Sequence, residues 1–252
     1  QRSNANYFTE AQAVMEVRGT ESAGIRSRQL ATVGELLTSS CYGAVSILKT
    51  VHSFRRRRAV DRKIIDSVQL FQESAEFKSH AWWLQLPATL EQETHNHGWS
   101  YERGGLHAAE HALIAVAPAF VRVEAQELGC QCRRLDMIGP ATKHLLIYEK
   151  HQGGVGLAVQ LAEHAELLIR AALQLMESCS CASGCPNCVH METCEEFNQR
   201  LDKTSGIYQL RRILGAPQQR ASHALVRKDA ITVEPGLPVR DKHKRMRNPL
   251  DC

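Results

Sequence analysis

Residues 179–190 read CSCASGCPNCVH, and the reading of this stretch organises everything around it. Four of the nine cysteines in the chain fall between positions 179 and 188. Disulfides persist in oxidising compartments, whereas thiolates hold metal in reducing ones. The opening, QRSNANYFTEAQ, is polar and charged and lacks the basic and apolar regions of a secretory signal. No run approaches the ~18 apolar residues that span a bilayer. The first residue is Gln1 and not Met, so a fragment or a processed chain is expected. Nine cysteines in 252 residues is far below the density of a disulfide scaffold, and the length suffices for a substantial core. Clustered thiols in such a chain favour zinc.

The spacing is Cys179-x-Cys181-x3-Cys185-x2-Cys188. Zinc takes four tetrahedral soft ligands, and a Cys-Pro-Asn-Cys turn lets two sulfurs converge while backbone amides stabilise their charge. Cys194 is an alternative to Cys181, because a C-x-C pair needs a kink before both sulfurs point inward. Cys41, Cys130, Cys132 and Cys252 are scattered and read as buried or loop thiols.

Charge is unevenly placed. Residues 216–252 hold eight Lys/Arg against four Asp/Glu, leaving 23 of each before them. This tail has proline, no periodicity and the cluster RDKHKRMR, so disorder is expected, either as a solvated tail or as a nuclear-localisation or nucleic-acid-binding arm. A second basic run, Arg55-Arg56-Arg57-Arg58, is expected in a hairpin-like loop between two strands, where arginines can neutralise phosphates.

The segments AQAVMEV, AVSILKTVHSF, KIIDSVQLF and HAWWLQLP carry β-branched and aromatic residues in short runs, which predicts strands. Alternation places Trp82 and Trp83 on opposite faces. From about residue 102 the period becomes helical, with Leu106, Ala109, Leu113 and Val116 forming a stripe that stops at Pro118. HLLIYE, 144–149, reads as a strand. One long helix is expected over 157–178, with a final helix ending at Gly215 as its C-terminal cap.

His107-Ala-Ala-Glu110-His111 spells HxxEH, the inverted zincin pattern of two zinc ligands and a general base. A third ligand is lacking beyond distant carboxylates such as Asp136, Glu163 or Glu177. Structural histidines on a polar or interdomain face, turned away from the stripe, are the preferred reading. Gly153-Gly154-Val155-Gly156 lies between a strand and a helix, where backbone amides can hold an anion, but tight packing accounts for the glycines. No GxxxxGK[ST] and no DExH-like box occurs, so no ATPase motor is expected within the chain.

Taken in order, LHAAEHAL (106–113) with Pro118, Asp136 with Gly139, Ile147-Tyr148 leading to Gly153-Gly154-Val155-Gly156-Leu157, CSCASGCPNCV and Leu201-Asp202-Lys203 resemble a known family. They are similar to the C-terminal zinc-binding domain of the MrfA and Hrq helicases, which are RecQ-like superfamily 2 DNA helicases associated with repair. CYGAVSILKTVHSFRRRR, KIIDSVQLF and AWWLQLP extend the resemblance upstream. The chain departs from the family's pattern at Glu149, where an Asp usually follows the Tyr, and at Gln152, where a Pro usually precedes the double glycine. The resemblance implies Cys179, Cys181, Cys185 and Cys188 as ligands of a structural zinc, and motor domains upstream of Gln1 that bind ATP and Mg. It also implies ATP-dependent, three-prime to five-prime translocation, with single-stranded or forked DNA as partner.

The expected architecture is α+β: a β-rich accessory segment over 1–100, a helix-strand-helix zinc-binding domain with a four-cysteine knuckle over 101–215, and a disordered basic tail over 216–252. The expected function is that of a non-catalytic accessory module of a DNA repair helicase, nuclear in a eukaryote and cytoplasmic otherwise. The alternatives are an HxxEH zinc metallohydrolase and a zinc-stabilised protein-interaction adaptor.

Overall fold

Among the described residues, the longest run of alternating burial lies in β3 (Ser39–Arg58), where Cys41, Gly43, Val45 and Ile47 are buried and Tyr42, Ala44 and Ser46 between them are only partly so. That two-residue period makes β3 the spine of a seven-stranded antiparallel sheet. Along one edge of β3 lie β2 (Arg26–Gln29) and β1 (Tyr7–Thr20); along the other lie β5 (Ala75–Gln85) and β4 (Ile64–Gln69). β7 (His144–Glu149) adds to β5, and β6 (Leu128–Cys130) adds to β7. The computed structural model describes residues 6–20, 25–29, 38–71, 73–96, 102–130, 144–194 and 196–215. Asp136, Gly139, Cys132, Cys252 and the basic tail lie outside them. Among the described residues, no helix is long and apolar enough to cross a membrane.

Two bulges, between Gln12 and Ala13 and between Val17 and Gly19, break the β1–β3 register and curl the sheet. Its two faces build separate cores. Val17, Cys41, Val45, Ile47, Ala81, Trp83, Leu146 and Tyr148 form one. Trp82, Leu84, Leu145 and Ile147 face the other way, into the helices. Trp82 and Trp83 therefore do lie on opposite faces, and both are fully buried, which leaves neither ring on the surface. Trp82 Nε1 donates to Ser40 Oγ at 2.8 Å, so its polar edge is met inside the core. β7 is buried at all six positions, which explains why it reads HLLIYE and not as an alternating strand.

The helical layer contains α1 (Ala88–Asn96), α2 (Glu102–Val116), α3 (Leu157–Glu163), α4 (Ala165–Ser178) and α5 (Lys203–Leu214). A 3-10 turn over Ala117–Ala119 carries Pro118 and ends α2 where the sequence predicts. The single helix expected over 157–178 is two. At His164 the backbone leaves the helical region (φ −99°, ψ 11°), and the ring Nδ1 sits 2.9 Å from the Gln160 carbonyl oxygen, competing with the main chain for that acceptor. α1 has a weak apolar pattern, with Leu90 as its buried hydrophobe, so periodicity does not reveal it. α5 starts on Asp202, whose carboxylate accepts from Ser205 N at 2.9 Å, and ends on Gly215 in the left-handed region.

α2 and α5 cross at small residues. A Cβ on Gly206 would come within 2.8 Å of the Gly105 carbonyl oxygen and 2.9 Å of Met176 Cε. The first contact is with backbone, which cannot rotate away. Gly206→Ala should therefore lower stability by about 1–3 kcal/mol, measured by chemical denaturation, although alanine is the better helix former; an unchanged or raised midpoint would show that this crossing is not close-packed.

Candidate metal centre

α4 delivers the knuckle. At its end Cys179 turns extended (φ −79°, ψ 122°), which supplies the kink that the C-x-C pair requires. The Cys185 carbonyl oxygen then accepts from Cys188 N at 3.0 Å and from Val189 N and His190 N at 3.1 Å, winding the CPNC segment into a tight turn. The sulfurs converge: Cys179 to Cys181 at 3.5 Å, Cys179 to Cys185 at 3.4 Å, Cys181 to Cys188 at 3.4 Å and Cys185 to Cys188 at 3.8 Å. These separations are far too long for a disulfide, whose sulfurs lie ~2.05 Å apart. A tetrahedral ion with metal–sulfur bonds of about 2.3 Å holds its sulfurs about 3.8 Å from one another. Cys179, Cys181, Cys185 and Cys188 thus fit zinc, and Cys194 is not among them. Its proposed exchange with Cys181 is corrected by that kink at Cys179, which lets both members of the C-x-C pair face inward.

The thiols differ in their readiness to ionise. Burial pushes Cys188 up to about 12. Desolvation works against the Cys181 thiolate as well, but hydrogen bonds from Cys188, Cys179, Cys185 and Lys203 draw it down to about 6. Binding a dication displaces the remaining protons. Lys203 is the principal residue that spacing alone does not assign. Buried at the start of α5, its Nζ donates to the carbonyl oxygens of Cys179 and Cys181, both at 2.7 Å, and lies 3.4 Å from Cys181 Sγ. It offsets thiolate charge and ties α5 to the knuckle.

The HxxEH face does not point to solvent. α2 is buried at every position from Gly104 to Ile114, His107, Glu110 and His111 included, so of the two placements expected for the histidines the polar face fails. Glu110 accepts from Arg103 Nη2 at 3.0 and 2.9 Å and from Leu146 N at 3.0 Å, which fixes α2 against β7. Burial pushes its carboxyl up while Arg103 opposes the shift. So engaged, it is not placed as a general base, and the hydrolase alternative loses its central residue. Burial holds the His107 imidazole below its ordinary value.

Gly153, Gly154 and Gly156 all adopt left-handed backbone (φ 82°, 68° and 86°). The amides that this loop presents at the start of α3 are met from within: Glu149 accepts from Val155 N at 2.5 Å and from Ala158 N at 2.8 Å. The anion at this helix start is the protein's own carboxylate. A Cβ on Gly154 would meet His80 Nδ1 at 2.3 Å.

The arginine run lies in strand β3 and not in a loop, because β1 and β4 pair with it on both edges. Arg56 Nε donates to Asp66 at 2.7 Å and its guanidinium lies 5.4 Å from the centre of the Tyr7 ring; Arg57 pairs with Glu10 at 2.6 Å and Arg58 with Asp61 at 3.3 Å.

A curled antiparallel sheet with helices over one face and a four-sulfur knuckle at a helix end defines a zinc-binding α+β domain. The chain belongs to the MrfA zinc-binding domain family, whose model matches residues 109–189. The protein MJ1572.1 of Methanocaldococcus jannaschii is 36% identical over 111 residues, covering 43% of this chain and 99% of that protein. The ATP-dependent helicase HRQ1 of Saccharomyces cerevisiae is 27% identical over 163 residues, covering 61% of this chain and 15% of the helicase. The chain thus corresponds to a small part of that helicase's length. A crystal structure of the helicase MrfA bound to DNA shares the fold with a TM-score of 0.50 at 19% identity, over 82% of this chain and 26% of that one.

Two expectations follow from the geometry. Lys203→Met should weaken zinc binding by roughly 10–100-fold, the usual effect of removing a group that supports a ligand, measured by competition with a chromophoric chelator. Glu110→Ala, which leaves Arg103 without its buried partner, should cost about 3–5 kcal/mol of stability in denaturant titration. A Glu110→Ala protein as stable as the parent would contradict the structural role assigned to this carboxylate.

Proposed function

We propose that the chain is the C-terminal accessory zinc-binding module of an ATP-dependent DNA helicase acting in DNA repair. The observation that carries the reading is the convergence of four cysteine sulfurs within a segment that belongs to the MrfA zinc-binding domain family. Zinc is structural in this reading: it closes the turn between α4 and α5 and supplies folding free energy, about 10 kcal/mol in small zinc sites. ATP and Mg belong to motor domains elsewhere in the parent protein, which drive three-prime to five-prime translocation. The module holds and guides single-stranded or forked DNA, in the nucleus of a eukaryote or the cytoplasm of other cells.

The DNA surface in this reading includes the arginine end of β3. Arg56, Arg57 and Arg58 are balanced by carboxylates, but these ion pairs are exposed or half-buried, and such pairs contribute little. Phosphates can take the place of Asp66, Glu10 and Asp61. Arg55 makes no ion pair among the described residues. Alternation along a strand places Arg55 and Arg57 on one face.

Fluorescence anisotropy with a single-stranded oligonucleotide tests this. The Arg55→Ala, Arg57→Ala double variant should bind more weakly, and its log K against log salt slope should flatten by about 1.4, the share of two phosphate contacts on a single strand. An unchanged slope removes the strand from the DNA surface. Binding that is absent at moderate salt, in zinc-loaded and folded protein, removes the DNA-guiding role and favours an adaptor.

A further inference from the structure

Cys194, His107 and His111 form a second group of ligand-type side chains, separate from the knuckle. One sulfur and a ring nitrogen from each histidine lie within 4.8 Å of one another, and all three residues are buried. The two histidines are one turn apart on α2, with ring centroids 4.4 Å apart and planes inclined at 74°. Cys194 comes from the loop that follows the knuckle, and its sulfur lies 3.5 Å from His107 Nε2.

That distance suits two donors sharing one ion. With bonds of about 2.0–2.1 Å to nitrogen and 2.3 Å to sulfur at the tetrahedral angle, donors stand about 3.5 Å apart. The tautomer of His111 points the same way. Its Nδ1 is 2.7 Å from the Val189 carbonyl oxygen and so carries the proton, leaving a lone pair on Nε2. This Nε2 is buried and has no hydrogen-bond partner among the described residues. A ring nitrogen donating to a backbone carbonyl while the other presents its lone pair is the arrangement that orients histidine ligands.

The loop holding Cys194 is built to present it. Asn198 accepts from Met191 N at 2.7 Å and donates to Met191 O at 2.9 Å, closing the segment on itself. Asn198 N donates to the sulfur at 3.3 Å, a contact that favours a thiolate. Phe197, Asn198 and Arg200 are held in left-handed backbone, an uncommon conformation for residues with side chains. Two imidazoles and a thiolate are a zinc donor set.

We infer that His107, His111 and Cys194 bind a second zinc ion, which fastens the segment after the knuckle to the buried helix α2. The three side chains fill three of four tetrahedral positions. This site shares no residue with the four-cysteine cluster, so the two can be counted apart.

The test is zinc stoichiometry of the reduced, folded 252-residue chain, stripped of metal, reloaded with zinc and measured by elemental mass spectrometry. Two equivalents are expected. His111→Ala should retain one, and Cys185→Ser with Cys188→Ser should lose the other while keeping the second. Saturation at one equivalent in the parent chain overturns the proposal, as does a second equivalent that survives in folded His111→Ala. If the variants do not fold, cobalt substitution of the parent chain decides. The proposal requires one tetrathiolate spectrum plus a second set of d–d bands, at shorter wavelength and with weaker thiolate charge transfer. Tetrathiolate bands alone at saturation sink it. Retention of both ions in folded Cys185→Ser, Cys188→Ser protein would fault the knuckle reading and leave this one standing.

Discussion

Glu110 has no access to solvent, and a carboxylate in that position is tolerable only when its charge is matched and its lone pairs are met. Both conditions are satisfied by groups from different parts of the chain: Arg103 from the same helix nearly two turns away, and the Leu146 amide from β7. The carboxylate therefore sets where α2 lies on the sheet. Arg103 is fixed in turn, because its Nη1 also donates to the His144 carbonyl oxygen at 3.0 Å. With α2 fixed, the apolar residues around it close against α4, α5 and β7, and from Gly104 to Ile114 the helix leaves no residue to water.

The same rule recurs at the edges of the helical layer. Glu149 leaves β7 and closes the start of α3 by accepting from two backbone amides. Lys203 leaves α5 and closes the knuckle by donating to two carbonyl oxygens beside the ligands. Arg212 pairs in bidentate fashion with Glu93, at 2.6 Å for each bond, and ties α5 to α1. In each case a long charged side chain spans two elements, and Glu149 and Lys203 also satisfy backbone groups that secondary structure leaves open. Polar joints fix the placement of the helices, and hydrophobic burial fills the space between them.

The strands around AVSILKTVHSF and HAWWLQLP were legible because a two-residue period survives wherever one face differs from the other. The four-cysteine group was legible because metal chemistry imposes both ligand type and spacing. What failed were inferences from a helical period about which face meets water. Leu106, Ala109, Leu113 and Val116 mark an apolar stripe, but Ala108 and Ala112 beside it are small and buried as well, which widens the packed surface toward the histidines. A helix covered on both sides by close neighbours gives no exposed face, and His107 and His111 are inside for that reason. The arginine run misled in a similar way. Four consecutive charges read as a loop, yet pairing on both edges extends β3 through them, and carboxylates on β1, β4 and the connecting turn balance three of the four. Neither outcome depends on local sequence; both depend on what lies across the fold.

The division into two cores gives the metal a bounded role. Every residue of the core under Trp83 comes from β1, β3, β5 or β7. Cys188, Val189 and Cys194, by contrast, belong to the core beneath the helices, with Cys179, Cys181 and Cys185 packed against it. A knuckle deprived of its ion leaves thiolates and carbonyl oxygens facing one another around Lys203, and that disturbance enters the helical core directly. It reaches the strand core through the strands on which the helices pack, among them β5 and β7, whose alternate residues serve both. The sheet side is thus the part whose packing is least dependent on zinc, while the helical side carries the family's metal chemistry. A fold built this way keeps the packing of its sheet core while making the geometry of its helical face conditional on bound metal.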